Sequence, residues 1–227
     1  MSEPDAIVER YARRDVGDRY SILRPEVLLA IHERQQIMRR IFANKLDKHD
    51  LSDVKLLEVG CGTGGNLLEF LRFGMQPQNL SGIELLPERV EAARRILPTT
   101  IQIHAGDAST ITIPLASQEV VFQSVVFSSL LDDAYQELLA KKMWSWVKPD
   151  GGILWYDFIY NNPSNPDVRG LPIRRIRELF PEGKMFVRRV TLAPPLSRRI
   201  CRVHPGLYKL FNIIPLLRTH VLCWIEK

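Results

Sequence analysis

Residues 56–65 read Leu-Leu-Glu-Val-Gly-Cys-Gly-Thr-Gly-Gly, a short apolar run that breaks into a turn with four glycines. Leu-Leu-Glu-Val is a strand, and Gly-Asn-Leu-Leu-Glu-Phe-Leu-Arg-Phe after it has helical spacing. A strand that meets a helix through such a turn belongs to an open α/β sheet, with a ligand approaching the backbone at the turn.

The rest of the chain repeats the alternation. Val54–Val59, Asn79–Leu85, Thr100–Gly106, Glu119–Phe127 and Gly152–Tyr160 read as strands, the fourth apolar enough to be covered on both faces. Between them, Pro87–Leu97 and Asp132–Val147 read as helices, the latter capped by Asp132 or Asp133, and Lys-Pro-Asp-Gly-Gly at 148–152 reads as a turn. The expected fold is a doubly wound, mostly parallel sheet. Residues 173–180 suggest a short helix, and 184–193 and 218–227 two strands with no regular crossover helix between them, hence an antiparallel pair at the sheet edge. Pro25–Leu46 has helical spacing behind an N-terminal proline, so residues 1–50 are expected to form a helical cap. The main domain is expected over 51–227, with an insertion at about 194–217.

Composition narrows the setting. Cys61, Cys201 and Cys223 lack metal-ligand spacing and leave one without a partner, which suits free thiols; Cys61 reads as a small packing residue of the loop. The N-terminus is charged from its third residue and no apolar run is long enough to span a bilayer, so the expectation is a cytoplasmic protein without a metal. Charge is uneven: from residue 161 onward 13 Lys and Arg face 4 Asp and Glu. That excess suits an acidic partner or a solvated basic face.

Gly60, Gly62 and Gly65 fit G-x-G-x-x-G, a spacing shared with nicotinamide-binding loops. Glu58 argues against a pyrophosphate there, because a carboxylate at the strand end repels it and favours a cationic amine. On this point the sequence resembles the class I S-adenosylmethionine-dependent methyltransferases, whose first motif, (E/D)-x-G-x-G-x-G, is matched by Glu58, Gly60, Cys61, Gly62 and Gly64. The resemblance implies S-adenosylmethionine as cofactor and a seven-stranded sheet of order 3-2-1-4-5-7-6 with the last strand antiparallel. It places Glu84, 24 residues past Gly60, on the ribose hydroxyls, Asp107 and Ala108 on the adenine, and Leu85 beside Glu84 among the cofactor-binding residues. Tyr11, Arg14 and Tyr20 resemble cap residues that close over the methionine carboxylate, against the competing reading of a solvated surface. A looser resemblance, through Tyr160–Gly170 and the basic tail, is to methyltransferases of bacterial surface-polysaccharide biosynthesis.

The expected function is O-methylation of a sugar hydroxyl or other small hydroxylated acceptor, with Asp157 or His204 as base. His104 is discounted for its place on the adenine side. Ser128, Tyr156, Tyr160 and Asn161 are the expected acceptor-side residues, with Asn162 beside them. N-methylation of a small amine or protein is the alternative, followed by a nicotinamide oxidoreductase and a non-catalytic binding protein. Nucleic acid is disfavoured: no Asn/Asp-Pro-Pro-Tyr box and no cysteine follow the fourth strand. The insertion combines Arg198, Arg199, Arg202 and Lys209 with Leu207, Tyr208, Leu210, Phe211, Ile213 and Ile214, which favours a lid or a homodimer contact over an anionic membrane surface.

Overall fold

A computed structural model describes residues 2–14, 17–46, 48 and 50–227. Seven strands form one sheet in the order β3-β2-β1-β4-β5-β7-β6. These are β1 (Leu56–Val59), β2 (Leu80–Glu84), β3 (Gln102–Ala105), β4 (Gln118–Ser124), β5 (Val147–Phe158), β6 (Lys184–Leu192) and β7 (Arg218–Glu226). The first five pair in parallel, and β7 runs antiparallel to both β5 and β6. This is the Rossmann-like methyltransferase topology, and the order matches the expectation from the resemblance.

Period-two side chains split the core between the two faces of the sheet. Leu57, Val59, Val121, Ile153, Trp155, Val221, Cys223 and Ile225 pack on one side, against Leu139 and Met143 of α5 (Asp133–Trp146) and Ile176 of α6 (Ile173–Leu179). Leu56, Val120, Phe122, Leu154, Tyr156, Leu222 and Trp224 pack on the other, against Met38 and Phe42 of α2 (Pro25–Lys45), Leu67 and Phe70 of α3 (Gly65–Arg72) and Ala93 of α4 (Pro87–Ile96). Both faces are covered, which is why the central strands read as continuous apolar runs.

Three local features differ from the sequence expectation. Glu3–Ala12 is a helix, α1, closed by a capping box between Ser2 and Asp5. The turn expected at 148–152 lies inside β5 as an irregularity, where Gln118 pairs with Val147 and Val120 with Gly152, and Asp150 adopts φ 65°. β4 stops at Ser124, because Val125 turns to φ 59° and Phe127–Ser129 winds into a 3-10 turn. Asp132 caps α5, accepting from the amides of Ala134 and Tyr135. Between β6 and β7 lie α7 (Pro194–Val203), α8 (Gly206–Asn212) and a 3-10 turn at Pro215–Leu217, packed on α2 through Leu29, Ala30, Ile200, Cys201, Tyr208 and Phe211. No described helix is long and apolar enough to cross a membrane.

Candidate active site

The carboxyl ends of the parallel strands open into a cavity of about 750 Å³ under α1 and α2. The glycine loop forms its floor. Gly60 has φ 68°, and a Cβ there would lie 2.5 Å from Cγ2 of Val126, so the loop passes under Val126 only as glycine. Gly64 has φ 88° and starts α3; a Cβ there would meet Leu97 at 2.7 Å.

Of the residues expected at the cofactor, Gly60, Glu84, Leu85, Asp107, Ala108 and Tyr20 line the cavity, as do Tyr11 and Arg14 of the cap. Glu58, Cys61, Gly62 and Gly64 lie behind it. Cys61 is buried in the space left by Gly82, which suits a packing residue. Gly62 acts through its backbone, donating to Glu84 Oε2 at 2.8 Å, while Glu84 Oε1 accepts from Leu86 at 3.0 Å. Asp107 Oδ1 accepts from the Ser109 amide at 2.8 Å and from the Tyr135 hydroxyl, and Oδ2 from the Ser109 hydroxyl at 2.8 Å. The cap is fastened to the 129–131 turn: Glu3 accepts from the Leu131 amide at 2.7 Å, and Arg10 donates to the Ser129 carbonyl at 2.9 Å.

Glu58 is fully buried beneath the loop. Its Oε1 accepts from Asn66 Nδ2 at 2.6 Å, whereas Oε2 has no partner among the described residues. Burial pushes its carboxyl up to about 8, against the opposing pull of the Asn66 hydrogen bond and Arg34. A folded-state value above the ordinary one stabilises the fold most at low pH, and that stability is lost as pH rises through about 8. Glu58→Gln keeps the Asn66 bond but cannot ionise. Without cofactor the variant is expected to be more stable than wild type by about 1–3 kcal/mol at the alkaline end, with the gap closing toward pH 5. Thermal melting of both proteins across this range checks it; parallel curves would mean that Glu58 titrates normally.

The acceptor-side expectations divide. Tyr156, Tyr160 and Asn161 line the cavity, as does Asn162. Ser128 is buried away from it, and its neighbour Ser129 faces in. Asp157 is corrected as a base: it is fully buried and does not line the cavity, and its oxygens accept from the amides of Phe158 at 2.9 Å and Ser128 at 3.1 Å. Burial raises its carboxyl to about 7. His204 is corrected too. It is exposed beyond α7, outside the cavity, and its Nδ1 accepts from the Gly206 amide at 3.0 Å.

Two groups stand there that the sequence did not single out. His220 of β7 stacks on Tyr156 at 5.2 Å between ring centroids and 16° between planes, with Nδ1 3.0 Å from the Thr219 hydroxyl. Burial, and secondarily Arg34, lower its imidazole to about 4. Arg34 of α2 lies over the Tyr156 ring at 5.1 Å and donates to Asn66 at 2.8 Å; its Nε is buried without a partner among the described residues. The Tyr156 hydroxyl is paired with Thr191 at 2.9 Å.

Residues 56–151 match the family model described as a methyltransferase domain. Among solved structures, the chain is similar to geranyl diphosphate C-methyltransferase from Streptomyces coelicolor A3(2), with 11% identity and a TM-score of 0.66 over 100% of this chain and 97% of that one. It is also similar to an S-adenosylmethionine-dependent methyltransferase from Archaeoglobus fulgidus, at 13% identity and TM-score 0.60 over 88% and 98% of the two chains. A third, from Mesorhizobium loti, gives 13% and 0.59 over 85% and 100%. Likeness at such identities speaks for the fold. No curated protein sequence matches the chain.

S-adenosylmethionine fits these residues. A carboxylate has about four acceptor sites. The hydrogen bonds of Glu84 use two and leave two for a pair of ribose hydroxyls, and those of Asp107 use three and leave one for an exocyclic amine. Glu58 Oε2, unpartnered among the described residues, lies behind the loop and does not line the cavity, so it takes no direct part in this fit.

Proposed function

We propose that this chain, whose residues 56–151 match a methyltransferase domain, is an S-adenosylmethionine-dependent methyltransferase whose acceptor is a hydroxyl of a sugar or another small hydroxylated molecule. The observation that carries this reading is the character of the cavity beyond the cofactor residues. Tyr156, Thr191, Thr219 and His220 offer neutral hydrogen-bonding groups there, and Arg34 adds a positive charge. Of the described carboxylates that line the cavity, Glu84 ends β2, Asp107 follows β3, and Glu26 lies 3.9 Å from Arg24. A protonated amine would meet the charge of Arg34 without a carboxylate of its own, whereas a neutral hydroxyl is not repelled by it.

S-adenosylmethionine, when bound, supplies a methyl group already activated on a sulfonium. What remains for the chain is to orient the acceptor, exclude water and receive a proton. α1 and α2 roof the cavity and do the second of these. For the third, His220 is neutral at ordinary pH, and in the tautomer that donates from Nδ1 to the Thr219 hydroxyl at 3.0 Å it presents an unprotonated Nε2 to the acceptor. The hydroxyl proton passes to Nε2 as the oxygen takes the methyl group. Tyr160, Asn161 and Asn162 at the mouth supply the mixed aromatic and amide groups that suit a sugar ring, including sugars of surface polysaccharides.

The test is transfer from methyl-labelled S-adenosylmethionine to matched panels of sugars, other hydroxylated small molecules and amines. Label is expected in a hydroxylated acceptor as a methyl ether. Label confined to amines overturns the reading.

A further inference from the structure

Between Gly183 and Ile225 the sequence holds eight Lys and Arg and no Asp or Glu. α7 and α8 fold this stretch into two unlike faces. One packs on α2 through Ile200, Cys201, Tyr208 and Phe211. The other presents Val203, Leu210, Ile213 and Leu216 to solvent, exposed by 79, 60, 70 and 81%. Arg199, Arg202 and Lys209 are exposed beside them, and none enters an ion pair among the described residues. A soluble chain gains nothing by holding large aliphatic side chains in water next to unpaired cations.

α7 runs from this surface to the cavity. Pro195 and Arg198 of α7 line it, and so does Tyr20, from the segment that leads into α2. Tyr20, Ile22 and Leu23 are exposed by 70, 57 and 89%, a second apolar edge that reaches the cavity at Tyr20. Two-fold self-association through α7 and α8 would bring two sets of Arg199, Arg202 and Lys209 into one drying interface, with no carboxylate on either helix to pair them. An anionic bilayer matches both features at once: acyl chains receive the aliphatic side chains and headgroups receive the cations.

We propose that α8, the end of α7 and the Tyr20–Leu23 edge seat the enzyme on an anionic membrane surface, with the cavity opening toward an acceptor held in that bilayer. The seat stands on the surface alone. The further step, an amphiphilic hydroxylated lipid as acceptor, rests on the hydroxyl-acceptor reading above.

The experiment is co-sedimentation of the full chain with phosphatidylcholine vesicles and with vesicles containing phosphatidylglycerol, at low and high salt. Wild type is expected to pellet with the anionic vesicles only, and high salt to release part of it. Arg199→Glu/Arg202→Glu/Lys209→Glu is expected to weaken the partition by about 100-fold or more. Leu210→Ser/Leu216→Ser is expected to weaken it too, in a way salt does not mimic. All these positions are exposed, so both variants should bind S-adenosylhomocysteine as wild type does, which separates loss of the surface from loss of the fold. Wild type that stays in the supernatant, or variants that pellet like it, overturn the proposal. So does a dimer in sedimentation velocity that Leu216→Ser dissociates. Vesicle binding without O-methylation of any hydroxylated lipid would leave the seat standing and remove the acceptor step.

Discussion

Glu84→Ala is expected to weaken binding of S-adenosylhomocysteine by at least about 100-fold, the largest loss of any single cofactor-side substitution. Glu84 is 5% exposed and its carboxylate does two jobs. It holds the Gly62 amide at 2.8 Å and the Leu86 amide at 3.0 Å, so it ties the first glycine loop to the end of β2. Its remaining acceptor sites suit the two ribose hydroxyls. Alanine removes both sets and leaves two amides without partners, each worth about 1–3 kcal/mol where water cannot replace the lost oxygen. Glu84→Gln keeps one oxygen as acceptor and should fall between alanine and wild type. Asp107→Ala should cost less, because Ser109 and Tyr135 already hold most of that carboxylate and the adenine gains one bond from it. Calorimetric titration with S-adenosylhomocysteine measures all three. Binding by Glu84→Ala within about threefold of wild type would show that the loop keeps its shape, and the ribose its partners, without this side chain.

The sequence disclosed what local chemistry dictates. Alternating strands and helices are visible in apolar periodicity, and the glycines at 60, 62 and 64 announce a loop that the backbone enters at positive φ. Glu84 and Asp107 came into view through the family resemblance; Glu84 ends β2 and Asp107 lies just past β3, at the edge where such sheets take ligands. The place of Asp157 was not legible, although it lies one residue from Tyr156. Neighbours on a strand face opposite sides of the sheet, and Tyr156 faces Arg34 and His220, so Asp157 turns to the Ser128 and Phe158 amides instead. The pairing of Phe158 with His220 is what sets the imidazole beside Tyr156, and that register joins segments some sixty residues apart, which no local pattern encodes. Arg34 escaped for a like reason. It sits among polar residues of α2 that read as a solvated helix face, and only the docking of α2 on the sheet brings it over Tyr156. His204 attracted notice as a histidine in a loop, but its backbone position beyond α7 commits it to capping the Gly206 amide.

His220 is therefore where the catalytic reading is most exposed to test. His220→Asn is expected to lower kcat by about 10²–10⁴ with the affinity for S-adenosylhomocysteine unchanged, since the ring lies beyond the cofactor residues and its removal leaves Glu84, Asp107 and the glycine loop intact. His220→Phe separates two roles of the ring. Phenylalanine keeps an aromatic surface against Tyr156 but has no nitrogen, so it should be as slow as asparagine if the imidazole takes the proton, and near wild type if it only packs. The pH profile gives an independent reading. An imidazole lowered to about 4 is neutral through the ordinary range, so kcat for wild type should be flat there and fall only as pH drops toward that value and the ring is protonated. In His220→Phe that acid limb should vanish along with the rate. A fall set instead near pH 7 and retained in His220→Phe would assign the titration to Asp157, whose buried carboxyl lies at about 7, and would make it an effect on the Ser128 turn and not on the proton transferred.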